Sequence, residues 1–468
     1  MSDLSDAEKL AAAAAAGVAL LGGVLAVIAK NPVRGLYLYI FCSAVLVSPA
    51  LPVVRDKLSV AEPVLACAAV GLFFGRRFVT GGTPPMTTPQ RAALLAGATW
   101  VLVVGICAAI NFAGGRLVDP VRTAIETATF GLGLFSCALV AWAVNTWDRW
   151  LKCLGAWAAG GLVVTAVGLM AMFVYAPGWT KDDFTGRVSS TLRESGQVAS
   201  YLGPVLPFAA LAAERVLKSA WVKVPAQALF LGAFVVMLGT GSRIALLISL
   251  CAFCGLVVAL LADARRRGTS SAFALALVAA GAVGFGAFVY SVFTDRGAEY
   301  VVGQTSPITR PIVMLRQIGE GKRTESHRLE QTFRPLETFD RHPLFGIGPA
   351  NFGVYYRQHE IHNSYLSVLG ETGAAGVIAF AAFVGLSLRC GWVGTVLLRP
   401  TAGRALGLAF LFGFGLLLLY QMTALGLRQR PFWFATGLLI ALPRAALDLR
   451  GRIALAVRRA AGPPAAGS

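Results

Sequence analysis

Charge is scarce in this chain. Asp, Glu, Lys and Arg make up 14% of it, against about 25% in an ordinary soluble domain. That excludes a soluble globular protein of normal composition, because too little charge is present to cover its surface. Histidine is scarcer still, with four copies, so any imidazole chemistry rests on His327, His342, His359 or His362. Eight cysteines are present, but each falls in or beside an apolar run, and no disulfide framework is expected. Cys251 and Cys254 form a C-x-x-C in mid-span with no His or acidic neighbour. They read as small apolar filler rather than a metal or redox site. The ten-residue alternation that builds a membrane β-barrel is missing. The opening MSDLSDAEKL lacks the basic n-region of a secretory signal.

What is there is apolar. Hydrophobic residues reach 56% and the mean hydropathy is +0.69. A helix rises about 1.5 Å per residue, so roughly 20 apolar residues cross about 30 Å of hydrocarbon. Runs of that kind recur near 10–29, 36–53, 60–75, 93–112, 123–144, 151–175, 199–214, 222–239, 243–262, 272–292, 363–388, 405–424 and 431–447. The expected fold is all-α: a polytopic integral membrane protein of about 12–13 transmembrane helices with a large helical loop late in the chain.

The net charge of +18 would point to nucleic acid in a soluble protein. Here it points to topology, because short cytoplasmic loops concentrate Lys and Arg. Arg76, Arg77 and Arg91 share one connection; Arg215, Lys218 and Lys223 another; Arg265, Arg266 and Arg267 a third; Arg389, Arg399 and Arg404 a fourth. All fall on one side of the predicted spans, the expected cytoplasmic side, together with the basic tail 448–468. No nucleic-acid partner is expected. The segments 176–198, 240–242 and 293–362 then lie on the other face. This divides the chain into N-terminal spans 1–292 with a short outer segment at 176–198, an outer loop subdomain 293–362, C-terminal spans 363–447 and the tail. Within the loop, SHRLEQTFRPLETF is amphipathic.

The densest chemistry lies at 342–376, HPLFGIGPANFGVYYRQHEIHNSYLSVLGETGAAG. Pro343, Gly346, Gly348 and Pro349 demand a compact turn, in which His342 shapes the loop and lines a site. His362 stands at the mouth of the next span and is the acid/base candidate, since an imidazole titrates near neutrality. Asn363 reads as its helix cap or hydrogen-bond partner. Glu371 lies about two turns further on and shares a face with Ser364 and Ser367. A carboxylate inside a span is costly, and serves either the site or a buried contact. Gly373 and Gly376 read as close-packing positions.

Four arginines stand on the same outer side: Arg187 and Arg193 before a span, Arg243 at the head of one behind Gly239, Gly241 and Ser242, and Arg328 in the loop. A guanidinium fork suits phosphate oxygens, and a helix N-terminus favours an anion. The alternative for each is headgroup snorkelling or a structural ion pair. Asp182 and Asp183 are too few to cage a divalent metal.

HPLFGIGPANF followed by HNSYLSVLGETGAAG, with TGSRIALL and GRVSSTL upstream, resembles the O-antigen ligase and polymerase superfamily of bacterial glycan-assembly membrane proteins. Many spans and a large late periplasmic loop agree with it. One departure is RESGQ, where many members carry Pro-Asn. The resemblance implies a metal-independent, inverting glycosyltransferase of lipopolysaccharide biosynthesis in the bacterial inner membrane, without cofactor. It would move a glycan from undecaprenyl diphosphate to a lipid A-core hydroxyl at the periplasmic face. It assigns the family's functional arginines to Arg187, Arg243 and Arg328 and its loop histidine to His362. Catalysis would then fall to His362, Arg187 and Arg328. Arg187, Arg193, Arg243 and Arg328 would bind the donor diphosphate, with Asn363, Glu371 and His342 in support. Polymerisation of lipid-linked repeats and protein O-glycosylation are alternatives within the superfamily. A lipid-linked glycan flippase is an alternative of another class; it would usually show charged or polar residues through the mid-membrane, often with internal repeats, whereas here no clear repeat is seen and the notable polar residues gather at one face.

Overall fold

The structure, a computed structural model, describes residues 31–44, 61–75, 85–174, 190–192, 195–216, 231–240, 242–267, 326–356, 361–399, 403–422 and 426–460, and the single residues Gly23, Leu25, Ile28, Ala279, Thr401 and Ala424. Arg187, Arg193, Asp182, Asp183 and the predicted spans near 10–29 and 272–292, apart from single residues, lie outside them. Among the described residues the protein is helical, with no strand. In chain order the helices are α1 (Pro32–Cys42), α2 (Ala61–Phe74), α3 (Thr88–Ala113), α4 (Pro120–Ala143), α5 (Trp147–Phe173), α6 (Ser195–Val216), α7 (Arg243–Arg267), α8 (Ser326–Arg341), α9 (Phe352–Tyr355), α10 (Ser364–Leu397), α11 (Gly403–Gln421) and α12 (Arg430–Ala460). A 3-10 turn, Gly426–Arg428, joins the last two. Among the described residues six helices, α3, α4, α5, α10, α11 and α12, are long and apolar enough to cross a membrane. The chain is an all-α, multi-pass membrane protein.

Local chemistry sets the helix starts. Asp119 caps α4 by accepting from Arg122 N–H at 2.9 Å, with Pro120 supplying a first residue whose missing N–H costs nothing. Thr146 caps α5 through Arg149 N–H, and Asn363 caps α10 through Leu366 N–H at 3.0 Å. Trp100 of α3 organises the core. Its ring lies 5.3 Å from Phe130 of α4, 5.1 Å from Phe380 of α10 and 5.7 Å from Trp433 of α12. One aromatic cluster thus ties four helices, and each such pair adds about 0.5–1.5 kcal/mol beyond area burial.

The two ends of the bundle differ. At one end Trp147 N–H donates to Asp448 and Arg149 donates to Asn145. At the other end α3 stops, α4 and α12 start, and α11 stops beside the start of α10, where Ser364 donates to Gln421 at 2.7 Å. The start of α6 joins them through Ser200, whose hydroxyl donates to Gln429 at 2.5 Å.

The predicted span 363–388 is not a single rod. It belongs to a longer helix, α10, that breaks at Gly373 (φ 64°, ψ −162°). The segment after the break, 374–397, spans roughly 36 Å and can cross a membrane unaided. Gly373 is therefore a backbone break rather than a helix-packing contact. A Cβ there would lie 2.6 Å from the Leu344 carbonyl. The amphipathic loop stretch folds as α8 and packs on the segment before the break, with Pro335 against Gly370. At the far end, α12 runs past the predicted 431–447 to Ala460.

Gly373→Ala combines a left-handed backbone with a collision, and is predicted to cost at least about 2 kcal/mol. Thermal unfolding in detergent should show a clearly lowered midpoint. Gly385→Ala, on the same helix with nothing within 4 Å of its Cβ position, should leave the midpoint unchanged or slightly raised.

Candidate functional site

A helix break strands backbone donors and acceptors. Here the turn His342–Ala350 meets them. Ile347 N–H donates to Gly370 O at 3.2 Å and Gly348 N–H to Glu371 O at 2.9 Å. Ala374 N–H returns to Pro343 O at 2.8 Å and Ala375 N–H to Leu344 O at 3.2 Å. The turn can approach this closely because Gly346 is left-handed (φ 60°), where a Cβ would lie 2.3 Å from the Glu371 carbonyl carbon. Two segments adjacent in the sequence motif are thus joined through their main chains.

Side chains of α3 and α4 hold the turn from beneath. Asn111 donates to Gly346 O at 3.3 Å and to its own helix at Cys107 O. Thr123 donates to Pro349 O at 2.9 Å. Asn351 donates to Ile347 O and Arg116 O and accepts from Val118 N–H. Above it, Ile347, Phe352 and Ile361 form a small separate core with Tyr356 and Leu366 against them.

Glu371 is buried. Its main-chain carbonyl accepts from Gly348 N–H of the turn. It lines a cavity together with Ser364, Ser367, Thr372, Trp100, Phe130, Pro349 and Arg428. The expected face of Ser364, Ser367 and Glu371 is therefore one wall of one space. The cavity has a volume of about 10 Å³, the room a single water needs, so no sugar ring enters it in this conformation. Arg428 pairs with Glu126 of α4, with side chains 16% and 2% exposed. One guanidinium thus stands among two buried carboxylates.

His362 is exposed and immediately precedes the cap residue Asn363. Glu371 lies roughly 12 Å along the helix axis from that cap. The structure therefore separates the two: the imidazole stands at the mouth and the carboxylate within. His342 sits half-buried on the turn, its N–H bonded to Thr338 O. Burial, then the charges of Arg116 and Arg341, lower its pKa from 6.5. Arg243 is the first residue of α7 and Arg328 lies in the first turn of α8; their side chains, with Arg187 and Arg193, lie outside the described residues. All eight cysteines are free. Among the described residues no group of three His, Cys, Asp or Glu side chains could hold a metal.

Glu126, Arg428, Asn111 and Asn351 went unpredicted. Glu126 had a signal: it is a lone acid inside a predicted span, the same cue that marked Glu371. Arg428 sits in the short LGLRQR connection on the outer side, where the basic-residue bias of cytoplasmic loops does not account for it, and that mismatch was its signal.

Fold and site together describe a multi-pass helical membrane protein with a polar, loop-capped end. Residues 228–381 match the family model described as O-Antigen ligase (Wzy_C). That stretch contains α7, α8, the turn and the broken part of α10. No curated protein matches the chain.

Because the native state lowers the His342 pKa, the unfolded chain takes up that proton first as pH falls. The stabilisation is complete above about 6.5 and is lost as pH drops through the folded value. NMR of labelled histidine should show His342 titrating below 6.5, and His342→Gln should remove its share of the acid-side loss. Titration at or above 6.5 would contradict the placement of Arg116 and Arg341 around it.

Proposed function

We propose that the protein is a glycosyltransferase of the O-antigen ligase type. It takes a glycan from undecaprenyl diphosphate and attaches it to a lipid A-core sugar hydroxyl at the periplasmic face of the inner membrane. The observation that carries this reading is the gathering of His362, the Gly-rich turn and Glu371 at one end of the bundle, inside the stretch similar to the O-antigen ligases. Sidedness supports it. The opposite end carries Arg149, Lys152, Arg399, Arg404, Arg450 and Arg452, as cytoplasmic loops do.

The chemistry follows from where charge develops. The acceptor oxygen attacks the anomeric carbon while the bond to the diphosphate oxygen breaks on the opposite face, so configuration inverts. His362, exposed at the mouth, takes the acceptor proton as attack proceeds. The departing diphosphate gains negative charge, which Arg187, Arg243 and Arg328 stabilise, with Arg193 beside them. The donor brings its own leaving group, so no nucleotide is consumed. Asn363 fixes the start of the helix that follows His362. Glu371, in a space too small for a sugar, supports the turn and does not touch the reacting atoms. His342, held neutral, shapes the rim.

The test is reconstitution with undecaprenyl-diphosphate glycan, with and without lipid A-core, read by product mass. Glycan on lipid A-core is the expected product. Longer lipid-linked chains would reassign the protein as a polymerase, and transbilayer movement without a new bond as a flippase. His362→Ala should lower transfer at least about 100-fold. Alanine at Arg187 or Arg328 should lower it about 100- to 1,000-fold. Thermal midpoints should stay near that of the unaltered protein in each case.

A further inference from the structure

Arg428 lies outside the stretch matched by the family model, 57 positions after Glu371, yet it faces the turn across one small cavity. Glu126, 1% exposed, grips its guanidinium from α4. Across the shared cavity stand Glu371 and Pro349 of the turn, and the Glu371 main chain accepts from Gly348 N–H at 2.9 Å. The next residue of the turn, Ala350, is left-handed at φ 57°, a conformation an L-residue rarely adopts unless its surroundings hold it. A buried carboxylate in turn needs a cation. The guanidinium offers five donors in a planar fork, enough to serve Glu126 and Glu371 together; an ammonium is a compact point charge without that fork.

We infer that Arg428 is a positioning residue: anchored by Glu126, it stands against Glu371 and Pro349 across one water-sized space, and so latches the His342–Ala350 turn onto the broken helix beneath His362. The latch joins α4, the α11–α12 connection, α10 and the turn at one point. It does not touch substrate. Its consequence for turnover rests on the transferase reading above; the latch itself does not.

Two variants test it. Arg428→Lys keeps the charge and loses the fork. The swap Glu126→Arg with Arg428→Glu keeps the ion pair but sets a carboxylate against Glu371. Each is measured for thermal midpoint, for amide hydrogen exchange of peptides covering 342–351, and for glycan transfer. With Arg428→Lys, exchange in the turn should quicken at least about tenfold. In the same variant kcat should fall about tenfold or more with KM little changed, because the mouth is misplaced while the groups that bind substrate are intact. In the swap the midpoint should recover towards that of the unaltered protein while exchange stays fast and transfer stays low. A swap that restores all three readouts would overturn the inference and leave the pair as a plain structural tie. So would an Arg428→Lys protein with slow exchange in the turn. Should the swap fail to fold, the exchange of the lysine variant decides. If the unaltered protein makes no glycosidic bond, the transferase reading fails and the exchange result still judges the latch.

Discussion

Backbone amides within a membrane protein must find partners in the protein, because hydrocarbon offers none. The rest of this structure depends on how that constraint is met at Gly373. A continuous helix would satisfy itself and offer nothing to a substrate. The break leaves Gly370 O, Glu371 O, Ala374 N–H and Ala375 N–H without helical partners, and the turn from His342 supplies all four. A polar loop is thereby tied to the mouth of a span through its main chain, with side chains adding to that hold. Gly346 and Gly373 make it possible, since each stands where a Cβ would enter the other segment's main chain.

The buried charges follow from the same junction. Once the turn is docked, Glu371 is enclosed beside Pro349 with Arg428 across the same small space, and Glu126 stands behind the guanidinium. Each group is costly alone and tolerable in company. Asn111, Thr123 and Asn351 then satisfy the remaining carbonyls of the turn from the ends of α3 and α4. The aromatic cluster around Trp100 lies directly beneath, so the polar junction rests on a packed aromatic layer that joins four helices.

Much of this was legible in the sequence. Apolar runs located α3, α4, α5 and α11 to within a few residues, and HPLFGIG with HNSYL marked the turn and the mouth. The break at Gly373 was not legible. AGVIAFAAFV continues the apolar run without interruption, and a glycine in a span reads first as a packing position. What breaks the helix is a turn some 27 residues upstream, and periodicity carries no record of that pairing. Glu126 and Arg428 were hidden for the same reason. They are separated by more than half the chain, so each looked like an isolated charge. Asn111 and Asn351 looked like ordinary polar residues at helix ends until the carbonyls they serve were in place.

The central claim is that the end of the bundle built around the turn and the broken helix is where a lipid-linked diphosphate is handled. Photo-crosslinking with a diazirine-bearing polyprenyl diphosphate, mapped by peptide mass, tests it most directly. Adducts should concentrate at 187–200, 342–371 and 421–430, and unlabelled lipid diphosphate should compete them away. Competable adducts concentrated instead at the opposite end, around Arg149, Arg404 and Arg444, would contradict the account.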